Sequence, residues 1–292
     1  MNNKEIHIAA IQMNCGNDKE TNVEKALTYI DKAVNLGAEL ISLPEMFTMP
    51  WTAMITADIR DPKLFFDYAE PIPGPTINKV IQKAKEHNVH IIAPIFEKAS
   101  PGFYYNSSPV ITPKGDIQGI YRKMHIAPEE KPFTRAGDNF KVFKTEKVDI
   151  GINTCYDINF PESTRITTLM GAKIIFCPFA IFDGNDTTNY ITDPWVGKAT
   201  LWQMWSIMRA WENKVFFVVI NRVGREKHAS DINFFGRSMI VNPFGKIIAE
   251  ATDKEEIIHS VLSLDDIERA RISNQVYRDF RPEVYGQITK PI

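Results

Sequence analysis

Short apolar runs alternate with amphipathic stretches along most of this chain, and two Pro/Gly turns break the alternation. That pattern constrains the fold more than any other feature. Apolar, β-branched runs read as buried strands, and apolar residues at three- and four-residue spacing read as helices. Strands are expected at His7–Gln12, Leu40–Leu43, Val89–Phe96, Lys173–Cys177 and Val215–Ile220. Helices are expected at Asn22–Leu36, Ile77–Glu86, Pro161–Met170 and, roughly, Pro194–Asn213, with a last short strand and helix in Val261–Arg271. Ser108–Thr112 and Ile117–Arg122 flank the turn Pro113-Lys114-Gly115-Asp116. Ser238–Val241 and Lys246–Ala249 flank Asn242-Pro243-Phe244-Gly245, so both segments read as β-hairpins. Strand–helix alternation interrupted by hairpins predicts an α/β protein with a mixed sheet, or two sheets, covered by helices. No linker-like or low-complexity stretch divides residues 1–292, so one domain is expected, with a polar tail from about Ile272.

Composition narrows the function classes. The net charge is −2, so no basic excess draws the chain to nucleic acid or an anionic membrane. No apolar run approaches the roughly 20 residues that cross a bilayer. The three cysteines (Cys15, Cys155, Cys177) make no disulfide framework. A cytoplasmic, reducing setting is expected.

Three apolar strands end in a reactive group. Leu40-Ile41-Ser42-Leu43-Pro44 ends at Glu45. Ile117-Gln118-Gly119-Ile120-Tyr121-Arg122 ends at Lys123. Ile150-Gly151-Ile152-Asn153-Thr154 ends at Cys155, just before the proline-marked helix at Pro161. Loops at strand ends converge on one crevice in α/β proteins. Taken singly, Cys155 reads as readily as a small buried hydrophobe, and Glu45 or Lys123 as a solvated charge. Together they supply a nucleophile, a cation and a proton acceptor.

These segments resemble the signatures of the nitrilase (carbon–nitrogen hydrolase) superfamily. Leu43-Pro44-Glu45 resembles its glutamate motif and Tyr121-Arg122-Lys123-Met124-His125 its lysine motif. Cys155-Tyr156-Asp157 with Phe160-Pro161-Glu162 and Arg165 resembles its cysteine motif. Gly171-Ala172-Lys173-Ile174-Ile175, Arg209-Ala210-Trp211-Glu212-Asn213, Asn221-Arg222-Val223-Gly224 and Asn242-Pro243-Phe244-Gly245 also match in order and spacing.

The resemblance implies a four-layer αββα sandwich with two mixed sheets and a Glu45–Lys123–Cys155 triad. It implies a second glutamate seven residues after the lysine, at Glu130, although the adjacent Glu129 leaves the register open. It further implies substrate contacts at Tyr156, Asp157, Phe179, Ala180 and Trp202, with no cofactor and no metal. The expected activity is hydrolysis of a small linear amide or N-carbamoyl amine through a cysteine thioester, with ammonia released. N-carbamoylputrescine, N-carbamoyl-β-alanine and nitriles are alternatives. Cys155-Tyr156-Asp157 differs from the Cys-Trp-Glu of true nitrilases. Asp157-Ile158-Asn159 lacks the arginines that carbamoyl-D-amino-acid hydrolases and ω-amidases carry there.

Weaker candidates have bland alternatives. His125 is a potential base or a packing residue. His87 and His90 lack nearby ligands for a metal. Asn185, Thr187 and Thr188 could border the pocket, and Asp183, Asp186 and Asp193 could favour a cationic substrate or be solvated loop charges. Arg165 is expected to pair with Glu162 or Asp157. Cys15 and Cys177 read as inert packing. Trp195, Trp205 and Trp211 read as core or interface. The stripe Trp202, Met204, Trp205, Met208 and the tail after 272 are candidate contacts in a homodimer or larger homo-oligomer. Outside the enzyme class, a silent binding or scaffold protein would not need all three reactive groups, and a redox sensor lacks a resolving cysteine nearby in sequence.

Overall fold

In the computed structural model, residues 4–55, 63–183, 198–227 and 231–290 are described. The chain runs β1 (Glu5–Gln12), α1 (Lys19–Asn35), β2 (Leu40–Ser42), α2 (Pro75–His87), β3 (His90–Ile92), β4 (Ile95–Ser100), β5 (Phe103–Ile111) and β6 (Ile117–Arg122). It continues through β7 (Val142–Lys144), β8 (Asp149–Ile152), α3 (Pro161–Leu169), β9 (Ile174–Pro178), β10 (Phe182–Asp183), α4 (Lys198–Asn213) and β11 (Phe216–Ile220). The remainder is β12 (Val223–Lys227), β13 (Asp231–Phe235), β14 (Met239–Val241), β15 (Ile247–Glu250), β16 (Glu256–Ser263) and α5 (Asp265–Ser273).

Two mixed sheets stack face to face. The first has the order β16-β1-β2-β3-β5-β4, with β6 also paired to β5, and the second has the order β15-β14-β11-β9-β8-β7. Each has three central parallel strands, β1-β2-β3 and β8-β9-β11, flanked by antiparallel ones. The layering follows from side-chain alternation along a strand. In β1, Ile6, Ile8 and Ala10 enter the core between the sheets, while Ala9 and Ile11 face the layer with α1 residues Val23, Ala26 and Ile30 and α2 residues Ile77 and Val80. In β11, Phe216, Val218 and Ile220 point between the sheets, and Phe217 and Val219 meet Trp202 and Ala210 of α4. Strands covered on both faces need continuous apolar sequence, which is why these runs read as strands without alternation.

The differences from expectation have physical causes. The run Val89–Phe96 divides into β3 and β4 around Ala93-Pro94, because proline cannot donate to a ladder. A small third sheet, β10-β13-β12, arises where Val223–Lys227 and Asp231–Phe235 pair as a hairpin. The expected start of α4 at Pro194 lies outside the described residues. Gly151 lets α3 approach the strand that leads to Cys155: a Cβ there would lie 2.3 Å from Thr167 Cγ2 and 2.8 Å from Ile175 Cδ1. No helix among the described residues is long and apolar enough to cross a membrane.

Candidate active site

The three reactive groups meet where strands of the two sheets end. Glu45 follows β2 and Lys123 follows β6, both in the first sheet, whereas Cys155 follows β8 in the second. Cys155 has φ 46°, in the left-handed region that few non-glycine residues adopt. It opens the 3-10 helix Cys155–Asn159. This sharp turn leaves Tyr156 N–H in the first turn of the helix, where no intrahelical carbonyl takes it up.

Asp157 anchors the turn. Its buried carboxylate accepts hydrogen bonds from Thr154 N at 2.8 Å, Tyr121 Oη at 2.6 Å and His125 N at 2.9 Å. His125 Nδ1 also lies 2.8 Å from Asp157. Asp157 therefore ties the lysine and cysteine segments together, and its oxygens are taken up by protein donors. Arg209 of α4 holds the carbonyl of Ile158 through Nε at 3.1 Å and Nη2 at 2.8 Å. Ala180 N–H points at the Cys155 sulfur, and Cys155 N–H points at that of Cys177.

Lys123 is fully buried and donates to both glutamates: to Glu45 Oε1 at 2.9 Å and, through a very short contact, to Glu130 Oε1. Asn106 is the third bridge. Its side-chain amide donates to Glu45 Oε1 at 2.7 Å and to Glu130 Oε2 at 3.0 Å, and its backbone carbonyl accepts from the Lys123 backbone N–H at 2.9 Å. Glu130 thus has a partner on both oxygens. Glu45 Oε2 is buried and has none. An ammonium carries three donors; the glutamates take two of them.

The electrostatics follow from burial. Desolvation pushes the Cys155 thiol well above its ordinary range, and the Glu45 anion adds to that; Lys123 and the Ala180 N–H oppose without prevailing. Desolvation and the Glu45 carboxylate thus favour the thiol over the thiolate. Burial also raises Glu130, against the pull of Lys123. Burial alone would lower Lys123, but Cys155, Glu130 and Glu45 hold it well above the usual ammonium range. Lys123 therefore stays charged.

Glu130, rather than Glu129, sits against Lys123. Ala180 lies beside the thiol, with Phe179 and Trp202 packed edge to face beneath it, 4.3 Å between centroids. Trp202 Nε1 donates to Arg237 O at 3.1 Å. Tyr156 is half-buried and meets Phe160 edge-on. His125 stacks on Phe160 at 3.8 Å and behaves as the packing residue of the loop. Arg165 does not pair with Glu162 or Asp157. It donates to Glu212 O at 2.8 Å and lies over the rings of Tyr277 and Phe280, because Asp157 is already occupied. Cys15 and Cys177 are buried; burial pushes the Cys15 thiol up to about 11 and Cys177 well above its usual range.

Asn185, Thr187, Thr188, Asp186, Asp193 and Trp195 lie outside the described residues, as does the side chain of Asp183. The residue that sequence reading missed is Asn106. Its signal was the polar run Asn106-Ser107-Ser108 inside an otherwise apolar strand. No group of three or more metal-ligating side chains occurs among the described residues.

The profile of the Carbon-nitrogen hydrolase family matches residues 7–272. An N-carbamoylputrescine amidase of Solanum lycopersicum is 35% identical over 97% of this chain and 94% of its own length. The Omega-amidase NIT2 of Homo sapiens is 30% identical over 98% of this chain and 99% of its own. The crystal structure of a carbon-nitrogen hydrolase from Helicobacter pylori G27 superposes with a TM-score of 0.89 at 28% identity, covering 100% of both chains.

Proposed function

This chain belongs to the carbon-nitrogen hydrolase family and is a hydrolase of carbon–nitrogen bonds other than peptide bonds; on that premise we propose that it cleaves a small linear amide or N-carbamoyl amine through a Cys155 thioester. One observation carries the mechanism. Of the four carboxylate oxygens around Lys123, Glu45 Oε2 alone is buried without a partner. A desolvated, unpartnered oxygen is a proton acceptor.

In this reading Glu45 Oε2 takes the Cys155 proton as sulfur bonds to the carbonyl carbon. The developing oxyanion meets the remaining Lys123 N–H and the Tyr156 N–H, each such donor being worth about 3 kcal/mol. Glu45 then returns its proton to the nitrogen as the carbon–nitrogen bond breaks and ammonia leaves. Water, deprotonated by Glu45, attacks the thioester and releases the acid and the thiol. Glu130, with both oxygens engaged, holds Lys123 in place and takes no part in proton transfer.

Within this class an N-carbamoyl amine is the preferred substrate. The relatives named N-carbamoylputrescine amidase share 35–36% identity over nearly their whole length, against 30% for the human Omega-amidase NIT2. With such a substrate, hydrolysis releases ammonia and leaves a carbamic acid, which breaks down to the amine and carbon dioxide. Ammonia release from aliphatic amides, nitriles, carbamoyl-β-alanine and carbamoylputrescine ranks the substrates. Cys155→Ala should abolish both turnover and the acyl-enzyme seen by mass spectrometry; retained hydrolysis would sink the thioester mechanism. We also propose subunit contacts on the face where Leu169 at the end of α3, Met170 just after it, and Met204 and Met208 of α4 are exposed.

A further inference from the structure

At the end of β11 two consecutive side chains reach to opposite sides of the site. Asn221 Oδ1 accepts from Ile181 N at 3.0 Å, and its amide donates to Ile181 O at 3.0 Å and Gly236 O at 3.1 Å. Ile181 directly follows Ala180, whose N–H points at the Cys155 sulfur. Arg222 reaches the other way, to the loop after Glu45. Nε and Nη2 donate to Glu45 O at 3.1 and 2.8 Å, Nη2 to Met46 O at 2.6 Å, and Nη1 to Met49 O at 2.8 Å. Nη1 also meets Glu226 Oε1 at 2.8 Å, and Glu226 Oε2 takes Thr52 N–H at 3.2 Å. All five guanidinium N–H donors are used.

A fully buried guanidinium needs a partner for each of its five N–H groups; what distinguishes this one is where those partners lie. Glu226 alone balances the charge of the fully buried Arg222. The other four bonds all go to the loop that carries Glu45. They grip the carbonyls on either side of Met46, whose φ of 44° is left-handed and strained without such support. Asn221 and Arg222 lie between β11 and β12, and their hydrogen bonds run in opposite directions. Asn221 and Arg222 thus fix the nucleophile side and the base side from a single strand end.

We propose that Asn221 and Arg222 form a positioning pair that sets the separation between the Glu45 carboxylate and the Cys155 thiol. The inference rests on the reading of Glu45 as base and Cys155 as nucleophile. Neither residue of the pair touches substrate; both act through their neighbours. Arg222→Lys keeps the charge but loses the fork that holds three carbonyls.

The test is Arg222→Lys in the full chain. The expected result is a fall in kcat of about 100-fold with KM within about 3-fold, the size of effect that misplacing a reacting group by about 1 Å produces. A double-mutant cycle with Glu45→Gln, read by the rate of Cys155 alkylation with iodoacetamide, isolates the route of the effect. Arg222→Lys should slow alkylation in the wild-type background and leave it nearly unchanged once Glu45 is Gln. Wild-type kcat in Arg222→Lys, or the same slowing in both backgrounds, overturns the proposal. Should circular dichroism show that Arg222→Lys does not fold, Glu226→Gln takes its place in the cycle, with about a 10-fold effect and the same criteria. Cys155→Ala runs alongside. If it still turns over, the underlying mechanism fails; if it is dead while the cycle is additive, only the positioning pair fails.

Discussion

At the end of β2, Met46 sits at φ 44°; at the end of β8, Cys155 sits at φ 46°. The two turns are near equivalents in backbone shape, one in each sheet, and each presents a reactive side chain. They are braced by opposite charges. The Glu45 turn exposes carbonyls to the buried Arg222 cation, and the Cys155 turn exposes the Thr154 N–H to the buried Asp157 carboxylate, which also takes the His125 N–H of the lysine segment. Each brace has the sign that complements the backbone groups its turn leaves unpaired. Left-handed turns of this kind cost of order 1–3 kcal/mol, and the buried ion offsets that cost locally. The braces differ in their own balance: Arg222 has a carboxylate partner in Glu226, whereas Asp157 is held by neutral donors and His125.

That difference is breakable. Arg222→Met should give the largest stability loss, about 3–5 kcal/mol, because it leaves Glu226 as an unpaired buried charge. Denaturant titration measures it, and adding Glu226→Gln should recover part of the loss; no recovery would mean the carbonyls, not the charge, dominate. Asp157→Asn should cost less, about 1–3 kcal/mol, since one acceptor becomes a donor facing Thr154 N–H or Tyr121 Oη–H. A larger loss than for Arg222→Met would reverse the comparison.

The smallest effect is a titration. Burial and the Glu45 carboxylate raise the Cys155 thiol well above the ordinary thiol value of 9.0. The folded protein therefore keeps this proton where an unfolded thiol would lose it. Stability is untouched by this group below pH 9.0 and falls as pH rises above it. Ultraviolet thiolate absorbance, taken as the difference from Cys155→Ser, should appear only above pH 9.0. A thiolate signal at neutral pH would show that Lys123 prevails over burial and Glu45.

The parts of this architecture legible in the sequence are those written locally. Buried parallel strands leave continuous apolar runs, so β1, β2, β9 and β11 could be read, as could the hairpins turning at Gly115 and Gly245. Glu45, Lys123 and Cys155 stood out because reactive groups ended such runs. Interactions across long sequence separations left no local trace. Arg222 lies 177 residues from the Glu45 carbonyl it holds, and nothing beside Arg222 marks that reach. Asn106 bridges carboxylates 61 and 24 residues away. Asp157 looked like a substrate contact because it follows the nucleophile, but its carboxylate faces inward to Tyr121 and His125. The hairpin β12–β13 was missed because Arg225, Glu226 and Lys227 break the apolar signal, although Glu226 is buried by its pairing with Arg222.

The proposed machinery is divided between the sheets. Glu45, Lys123 and Asn106 ride on the first and Cys155 and Ala180 on the second, so neither layer holds a working set. Sliding one sheet past the other by a single residue step, about 3.3 Å, would leave every strand, every ladder and each sheet's own charges intact. It would still carry the thiol away from its base. Activity is therefore a gauge of the register between two layers that meet through apolar contact and are tied at the site by Arg222 and Asp157. Pressure or mild denaturant that loosens this seam should silence the enzyme while its circular dichroism stays native.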